Sequence, residues 1–130
     1  MIEINGGTLN QRKYAFSIAV YVCQKFNITP TIEINFKCMA NDSAVGNCME
    51  VDHGEYEVNI KRTLRMRDML TTLAHEIVHV KQYFNNEFKD ESHIDYWDRE
   101  SEVEAHGRET GLFIRWCEKE QLSHHKWAQV

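Results

Sequence analysis

The sequence predicts an α+β fold in which helices pack on one face of a small, mostly antiparallel sheet. Two observations predict it. Apolar residues recur at helical spacing in three long segments, and shorter runs with alternating polarity lie between the first and second of these segments. The expected order is helix, three strands, helix, helix. Because the chain has 130 residues, 42% of them hydrophobic, we expect one domain over residues 1–130.

The first helix is expected to begin at Thr8 or Asn10, either of which can cap it, and to end near Asn27. Its apolar residues follow helical spacing: Tyr14, Phe16, Ile18, Ala19, Val22, Cys23 and Phe26. Residues 31–36 then alternate apolar and polar side chains, which is typical of a half-buried strand.

Two further strands are expected over residues 43–51 and 55–60, joined into a hairpin by a turn at residues 52–54. One face of the second strand is apolar: Tyr56, Val58 and Ile60. The stretch from Asn41 to Cys48 is expected to form an exposed edge of the sheet, along which an extended peptide could bind.

The second helix is expected over about residues 67–84. An apolar stripe runs along it: Met66, Met69, Leu70, Leu73, Ile77, Val80 and Phe84. At about 100° per residue, His75 and His79 project from the opposite side, towards a cleft or solvent. Residues 85–96 are polar and expected to be irregular, and a last helix is expected over about residues 98–120.

The pentad His75-Glu76-Ile77-Val78-His79 reads H-E-x-x-H. Side chains at i and i+4 share a helix face, so the two imidazoles can occupy adjacent corners of a tetrahedral zinc site. The carboxylate of Glu76 can reach a water on that metal and act as its general base. The simpler alternative is a pair of solvated surface histidines on an amphipathic helix.

A catalytic zinc needs a third protein ligand, with its fourth position left for water. The candidates lie in the loop and the last helix: His93, Glu100, Glu102, Glu104 and His106. Glu100 and Glu104 are most simply explained as a solvated acidic face, and an acidic residue near a helix start also suits the helix dipole.

The pentad, followed by Glu102-Val103-Glu104-Ala105-His106, resembles the gluzincin pattern, in which a Glu on a following helix completes the zinc site. The short chain is similar to the minigluzincins. The stretch from Tyr96 to Ala105 also resembles small metallopeptidase-like proteins often encoded by phages. The resemblance covers roughly residues 31–115 and implies a zincin-like fold.

The resemblance also implies a ligand set, in which His75, His79 and Glu102 bind zinc and Glu76 polarises the water. Family members often carry Asp or Asn one turn after the ligand Glu, to hydrogen-bond a zinc-binding histidine. This chain has His106 at that position.

These features predict a zinc metalloendopeptidase, a hydrolase that acts on peptide or protein substrates with Glu76 as general base. Tyr83, Tyr96 and His106 are candidate donors to the oxyanion. One alternative is a catalytically silent, zinc-stabilised protein-binding domain on the same scaffold. Another is a DNA-linked protease of the SprT-like kind, in which His93 would give a three-histidine site.

Composition weighs against several other classes. The net charge of −5 argues against a nucleic-acid partner. No apolar run approaches the roughly 20 residues that cross a bilayer, and the first residues lack the features of a signal peptide. The four cysteines form no C-x-x-C pair and are expected to be reduced thiols. We therefore expect no membrane partner and a place in the cytoplasm of the producing or host cell.

Overall fold

The computed structural model describes residues 1–39 and 44–129 of the chain. These residues form four strands and three helices in the order β1, α1, β2, β3, β4, α2, α3. The strands are β1 (Ile2–Asn5), β2 (Thr31–Lys37), β3 (Gly46–Asp52) and β4 (Glu55–Lys61). The helices are α1 (Leu9–Lys25), α2 (Met66–Phe84) and α3 (Glu100–Lys119). Short 3-10 turns cover Tyr96–Asp98 and Lys126–Ala128. The predicted α+β class is confirmed.

The strands lie in the order β1-β2-β4-β3. β1 pairs with β2 and β2 with β4 in parallel, and only the β3–β4 pair is antiparallel among the residues described. The prediction of a mostly antiparallel sheet is therefore wrong. Helix α1 returns the chain from β1 to β2 in the same direction, as a crossover connection does. The hairpin then places β4 beside β2 and leaves β3 at the edge.

A short strand that the sequence pattern did not predict begins the sheet. Ile2 and Ile4 of β1 pack against the core, and the turn that follows has positive φ at Gly6 (78°) and Gly7 (83°). Thr8 then caps α1, as predicted: its Oγ1 accepts from the backbone N of Gln11 at 3.1 Å. The side chain of Gln11 accepts from the backbone N of Thr8 at 2.8 Å, which completes a capping box.

The predicted hairpin is confirmed by the antiparallel pairing of β3 with β4. Gly54, with a φ of 81°, provides the turn. The predicted apolar face of β4 is buried: Tyr56, Val58 and Ile60. Residues 41–43, where the edge strand and the hairpin were predicted to begin, lie outside the described residues, and β3 begins at Gly46.

Helix α2 is the centre of the structure, since it packs against α1, α3, β3 and β4. Most of its predicted apolar stripe is fully buried: Met69, Leu70, Leu73, Ile77 and Val80. Helix α3 adds Phe113 and Trp116 to the same core. Among the described residues, none of the helices has the length and apolar character needed to cross a membrane.

Candidate metal centre

The packing of α2 against α3 brings three of the predicted ligands together. His75 Nε2 lies 3.1 Å from Glu102 Oε1, and His79 Nε2 lies 3.1 Å from Glu102 Oε2. In a tetrahedral site with zinc–ligand bonds of about 2.0–2.2 Å, neighbouring donor atoms lie roughly 3.3–3.6 Å apart. Both histidine–carboxylate separations are close to that spacing.

Neither histidine is a solvated surface residue. His75 is 9% exposed and His79 is 6% exposed. The alternative of a solvated pair on an amphipathic helix is therefore wrong. The histidine face of α2 is covered because α3 packs over it, and the sequence alone does not show which polar face a second helix will cover.

The outer nitrogen of each histidine is held by another side chain. His75 Nδ1 donates to Glu109 Oε1 at 3.1 Å, and His79 Nδ1 donates to Gln82 Oε1 at 2.8 Å. With Nδ1 carrying the hydrogen, each ring directs Nε2 towards Glu102. Partners of this kind fix the ring orientation of metal-binding histidines.

The electrostatics of the cluster favour positive charge. Burial alone would lower the pKa of His75, but hydrogen bonds to Glu102 and Glu109 raise that pKa to about 9. Burial likewise opposes protonation of His79, and hydrogen bonds to Glu102 and Gln82 raise its pKa. Partial burial would raise the carboxyl pKa of Glu102, yet hydrogen bonds to both histidines hold it well below the usual range. A nitrogen lone pair and a carboxylate oxygen 3.1 Å apart need a proton or a metal ion between them.

Glu76 lies in the same cluster but is bonded differently. The residue is 5% exposed and lines the cleft. Possible ligand atoms of His75, Glu76 and His79 all lie within 4.8 Å of one another. Burial raises the pKa of Glu76, an effect that the charges of His79 and His75 oppose, and no hydrogen bond within residues 1–39 and 44–129 holds its carboxylate. It is a buried carboxylate whose oxygens are free to bind a proton.

The cluster opens into a cleft of about 430 Å³ between β3 and α2. Strand β3 lines it through Gly46 and Cys48, and Tyr83 and Phe88 line it near the end of α2. Strand β3 is at the edge of the sheet and approaches α2 closely, because a Cβ on Gly46 would lie 2.8 Å from Thr72 Cγ2.

Two of the three candidate oxyanion donors lie together over Glu102. Tyr96 Oη donates to Glu102 Oε1 at 3.0 Å and lies 3.0 Å from His106 Nε2. Burial, together with the hydrogen bond to Glu102, raises the pKa of Tyr96 to about 12, so its hydroxyl keeps its proton. Tyr83 instead stacks on Phe88, with ring centroids 4.4 Å apart.

Of the competing third ligands, His106 lines the cleft, whereas His93, Glu100 and Glu104 do not. His93 is exposed and does not line the cleft. The side chain of Glu100 is 87% exposed, as expected of a solvated acidic face. Glu104 is not solvated in that way, since it accepts from Lys81 Nζ and from Gln82 Nε2 at 2.8 and 2.9 Å.

Two residues of the site were missed by the sequence analysis, Gln82 and Glu109. Gln82 lies three positions after His79, and Glu109 lies on the face of α3 that carries Glu102 and His106. His106, at the position where family members often carry Asp or Asn, donates from Nδ1 to Glu109 Oε1 at 2.9 Å. His75, His106 and Glu109 form a second set of possible ligand atoms within 4.8 Å of one another. Helical spacing from His79 and Glu102 was the available signal for both missed residues.

No family model, curated protein or solved structure matches this chain. The assignment of a function therefore rests on the residues of the cleft.

Proposed function

We propose that this protein is a zinc metalloendopeptidase of gluzincin type, with His75, His79 and Glu102 as ligands and Glu76 as general base. The observation that carries the proposal is the convergence of three oriented donor groups beside a buried, unpartnered carboxylate. The resemblance of the pentad and of the Glu102 segment to gluzincins supports it.

The donor set suits zinc. Two neutral imidazole nitrogens and one carboxylate oxygen are ligands that this borderline-soft ion accepts, and three protein ligands are typical of catalytic sites. Glu109 and Gln82 hold the Nδ1 hydrogens, which leaves both Nε2 lone pairs available. When bound, zinc polarises a peptide carbonyl and lowers the pKa of water towards neutrality.

The chain's own residues supply the proton transfers and the binding of substrate. Glu76 accepts the proton of the attacking water and passes it to the leaving amine, a role helped by the raised pKa that burial gives its carboxyl. Tyr96, in the turn before α3, or His106, on α3, would donate to the oxyanion in place of its present partner, since both line the cleft. An extended peptide would pair with β3, the edge strand of the sheet that the described residues form.

The second candidate is a catalytically silent, zinc-stabilised protein-binding domain. One observation favours it: Tyr96 donates to the Glu102 oxygen that faces His75, so one of the protein's own side chains covers part of the cluster. A zinc that only braces α2 against α3 has no use for Glu76, which is not a ligand in the proposed set. The two candidates therefore differ in what replacing Glu76 does.

The test combines elemental analysis with a peptide-library cleavage assay read by mass spectrometry. Wild type and Glu76→Gln should each carry about one zinc per chain, the single ion that one such donor set binds. Glu102→Ala should lose the zinc. Cleavage by Glu76→Gln should fall by about 10²–10⁴-fold, the usual contribution of a general base. Glu100 is an exposed carboxylate on α3, the helix that carries Glu102, so Glu100→Gln is the matched control and should change neither the zinc content nor the cleavage.

The outcomes separate the candidates. If wild type holds zinc but cleaves no peptide of a diverse library, the silent binding domain is the correct assignment. If wild type takes up no zinc when it is supplied, the proposed metal centre is wrong.

A further inference from the structure

We infer that Gln82 is a positioning residue of the proposed metal centre, because its side-chain oxygen holds the ring of His79 with Nε2 facing Glu102. The inference rests on the proposed function, since it concerns one of the proposed zinc ligands. It adds a residue that neither the H-E-x-x-H pattern nor the position one turn after Glu102 indicates.

Gln82 is only 2% exposed and reaches three groups at once. Its Oε1 lies 2.8 Å from His79 Nδ1. Its Nε2 donates to the backbone oxygen of Ser101 at 3.0 Å and to Glu104 Oε1 at 2.9 Å. Both hydrogens and the oxygen of the amide are therefore used.

The chemistry of these partners determines which way the amide faces. A backbone carbonyl and a carboxylate only accept hydrogen bonds, so the NH₂ group of Gln82 must face Ser101 and Glu104. The oxygen is then left for His79, and since it can only accept, His79 Nδ1 must carry the hydrogen. The reverse orientation would place three acceptors together, the amide oxygen, the Ser101 carbonyl and Glu104 Oε1, and would leave both of these partners without a donor.

Glu104 is in turn held by cations. Lys81 Nζ lies 2.8 Å from its Oε2, and Arg108 Nε lies 3.0 Å from the same oxygen. Glu104 is therefore a fixed acceptor, and Gln82 links it to His79 across the α2–α3 interface. The same two helices provide His79 and Glu102, so this link aligns a histidine ligand with the helix that carries the carboxylate ligand.

A merely structural role for Gln82 makes a different prediction. In that case its loss would lower the stability of the folded chain without a separate effect on the binding of an ion. The test therefore measures two quantities on each variant: the dissociation constant for Zn²⁺, by competition with a chelator, and the urea-unfolding free energy of the metal-free protein.

Gln82→Leu keeps similar volume and removes the acceptor, so we expect zinc affinity to fall by about 10–100-fold, as for other partners of metal-binding histidines. Gln82→Glu alone places two carboxylates side by side. Combined with Glu104→Gln, it removes that repulsion and gives His79 an acceptor again, while the backbone oxygen of Ser101 loses its donor, so part of the affinity should return. Gln24→Leu, at an exposed glutamine of α1, is the control.

Two results would overturn the inference. One is equal zinc affinity in wild type and Gln82→Leu, and the other is a double variant that binds zinc no more tightly than Gln82→Glu. If Gln82→Leu does not fold, Gln82→Asn replaces it, because its shorter side chain cannot span His79 and Glu104 together. Failure of wild type to bind Zn²⁺ overturns the proposed function, and this inference with it.

Discussion

The close approach of β3 to α2 allows a test of the cleft that needs no metal. A Cβ placed on Gly46 would lie 2.8 Å from Thr72 Cγ2, 3.2 Å from the backbone oxygen of Asn59 and 3.3 Å from Ile60 Cδ1. Gly46 does not have a positive φ, so its backbone can accept alanine. The effect of Gly46→Ala should therefore come from this contact, which pushes the edge strand away from the helix.

The magnitude follows from two opposing terms. Overpacking a close contact lowers the free energy of unfolding by about 1–3 kcal/mol. Replacing glycine also restricts the unfolded chain, which returns about 0.4–1 kcal/mol. From the middle of each range, a loss of about 2 kcal/mol and a return of about 0.7 kcal/mol, the expected net loss for Gly46→Ala is about 1.3 kcal/mol. Thr72→Ser removes the methyl group that the new Cβ would meet, so the double variant should be more stable than the sum of the single losses predicts, by about 1 kcal/mol.

Urea unfolding of the four proteins measures this coupling. Gly111→Ala is the matched control: nothing lies within 4 Å of its Cβ position and it is in α3, so alanine should raise the free energy of unfolding by about 0.5–1 kcal/mol. If Gly46→Ala is as stable as wild type, or if its loss and that of Thr72→Ser simply add, β3 does not approach α2 as described.

Two further predictions concern titratable groups. Cys38 is exposed and should react quickly with an aromatic disulfide in the folded protein. Burial raises the pKa of Cys23 and Cys117 to about 11, so these two thiols should react only on unfolding. Equal reaction rates for the three thiols in native buffer would contradict the placement of Cys23 and Cys117 in the core. In the metal-free protein, burial opposes protonation of His75, but Glu102 and Glu109 raise its pKa from 6.5 to about 9. This group therefore stabilises the fold fully below pH 6.5 and loses that contribution as the pH rises through about 9. Urea unfolding across this range should show falling stability without metal and a smaller fall with zinc, and a metal-free stability that rises from pH 6.5 to 9 would refute the assignment.

Features that depend on local periodicity could be predicted from the sequence. The stripe of α2 repeats over five turns, and Met69, Leu70 and Leu73 are fully buried as expected. The hairpin was also predictable, because Gly54 supplies the positive φ that its turn requires.

The sheet topology could not be predicted in the same way. β1 has four residues, too few for alternation to be distinguished from chance, and its partner β2 lies beyond a whole helix. The pairing of β2 with β4 rather than with β3 is equally non-local. Adjacent strands in the sequence suggest antiparallel neighbours, so an undetected strand and one crossover were enough to make the predicted sheet wrong.

The site shows the same division between local and non-local information. The spacing of His75 and His79 placed them on one face of α2, and that placement is local. Which polar residues of α3 would meet them depended on packing between helices. Glu102 was identified as a ligand only through the resemblance to gluzincins. In the sequence, Gln82 and Glu109 looked no different from residues on a solvated face.

Among the buried histidine, amide and carboxylate side chains that the structure describes, Glu76 differs from the others in having no hydrogen-bond partner. Asn35 and Asn59 hydrogen-bond each other within the sheet, and His75, His79 and Gln82 all have partners between α2 and α3. Glu76 is only 5% exposed and has no hydrogen bond within the described residues, and its carboxylate borders the cleft. Its oxygens are not sealed from the cleft, since Tyr56 Oη is the fully buried side-chain polar atom without a partner among the described residues. In a domain whose zinc only stabilised the packing of α2 against α3, an apolar residue at position 76 would make the fold more stable. In the proposed centre Glu76 would take up and release a proton beside the zinc, and its carboxylate would need to be free of other hydrogen bonds, as it is among the described residues.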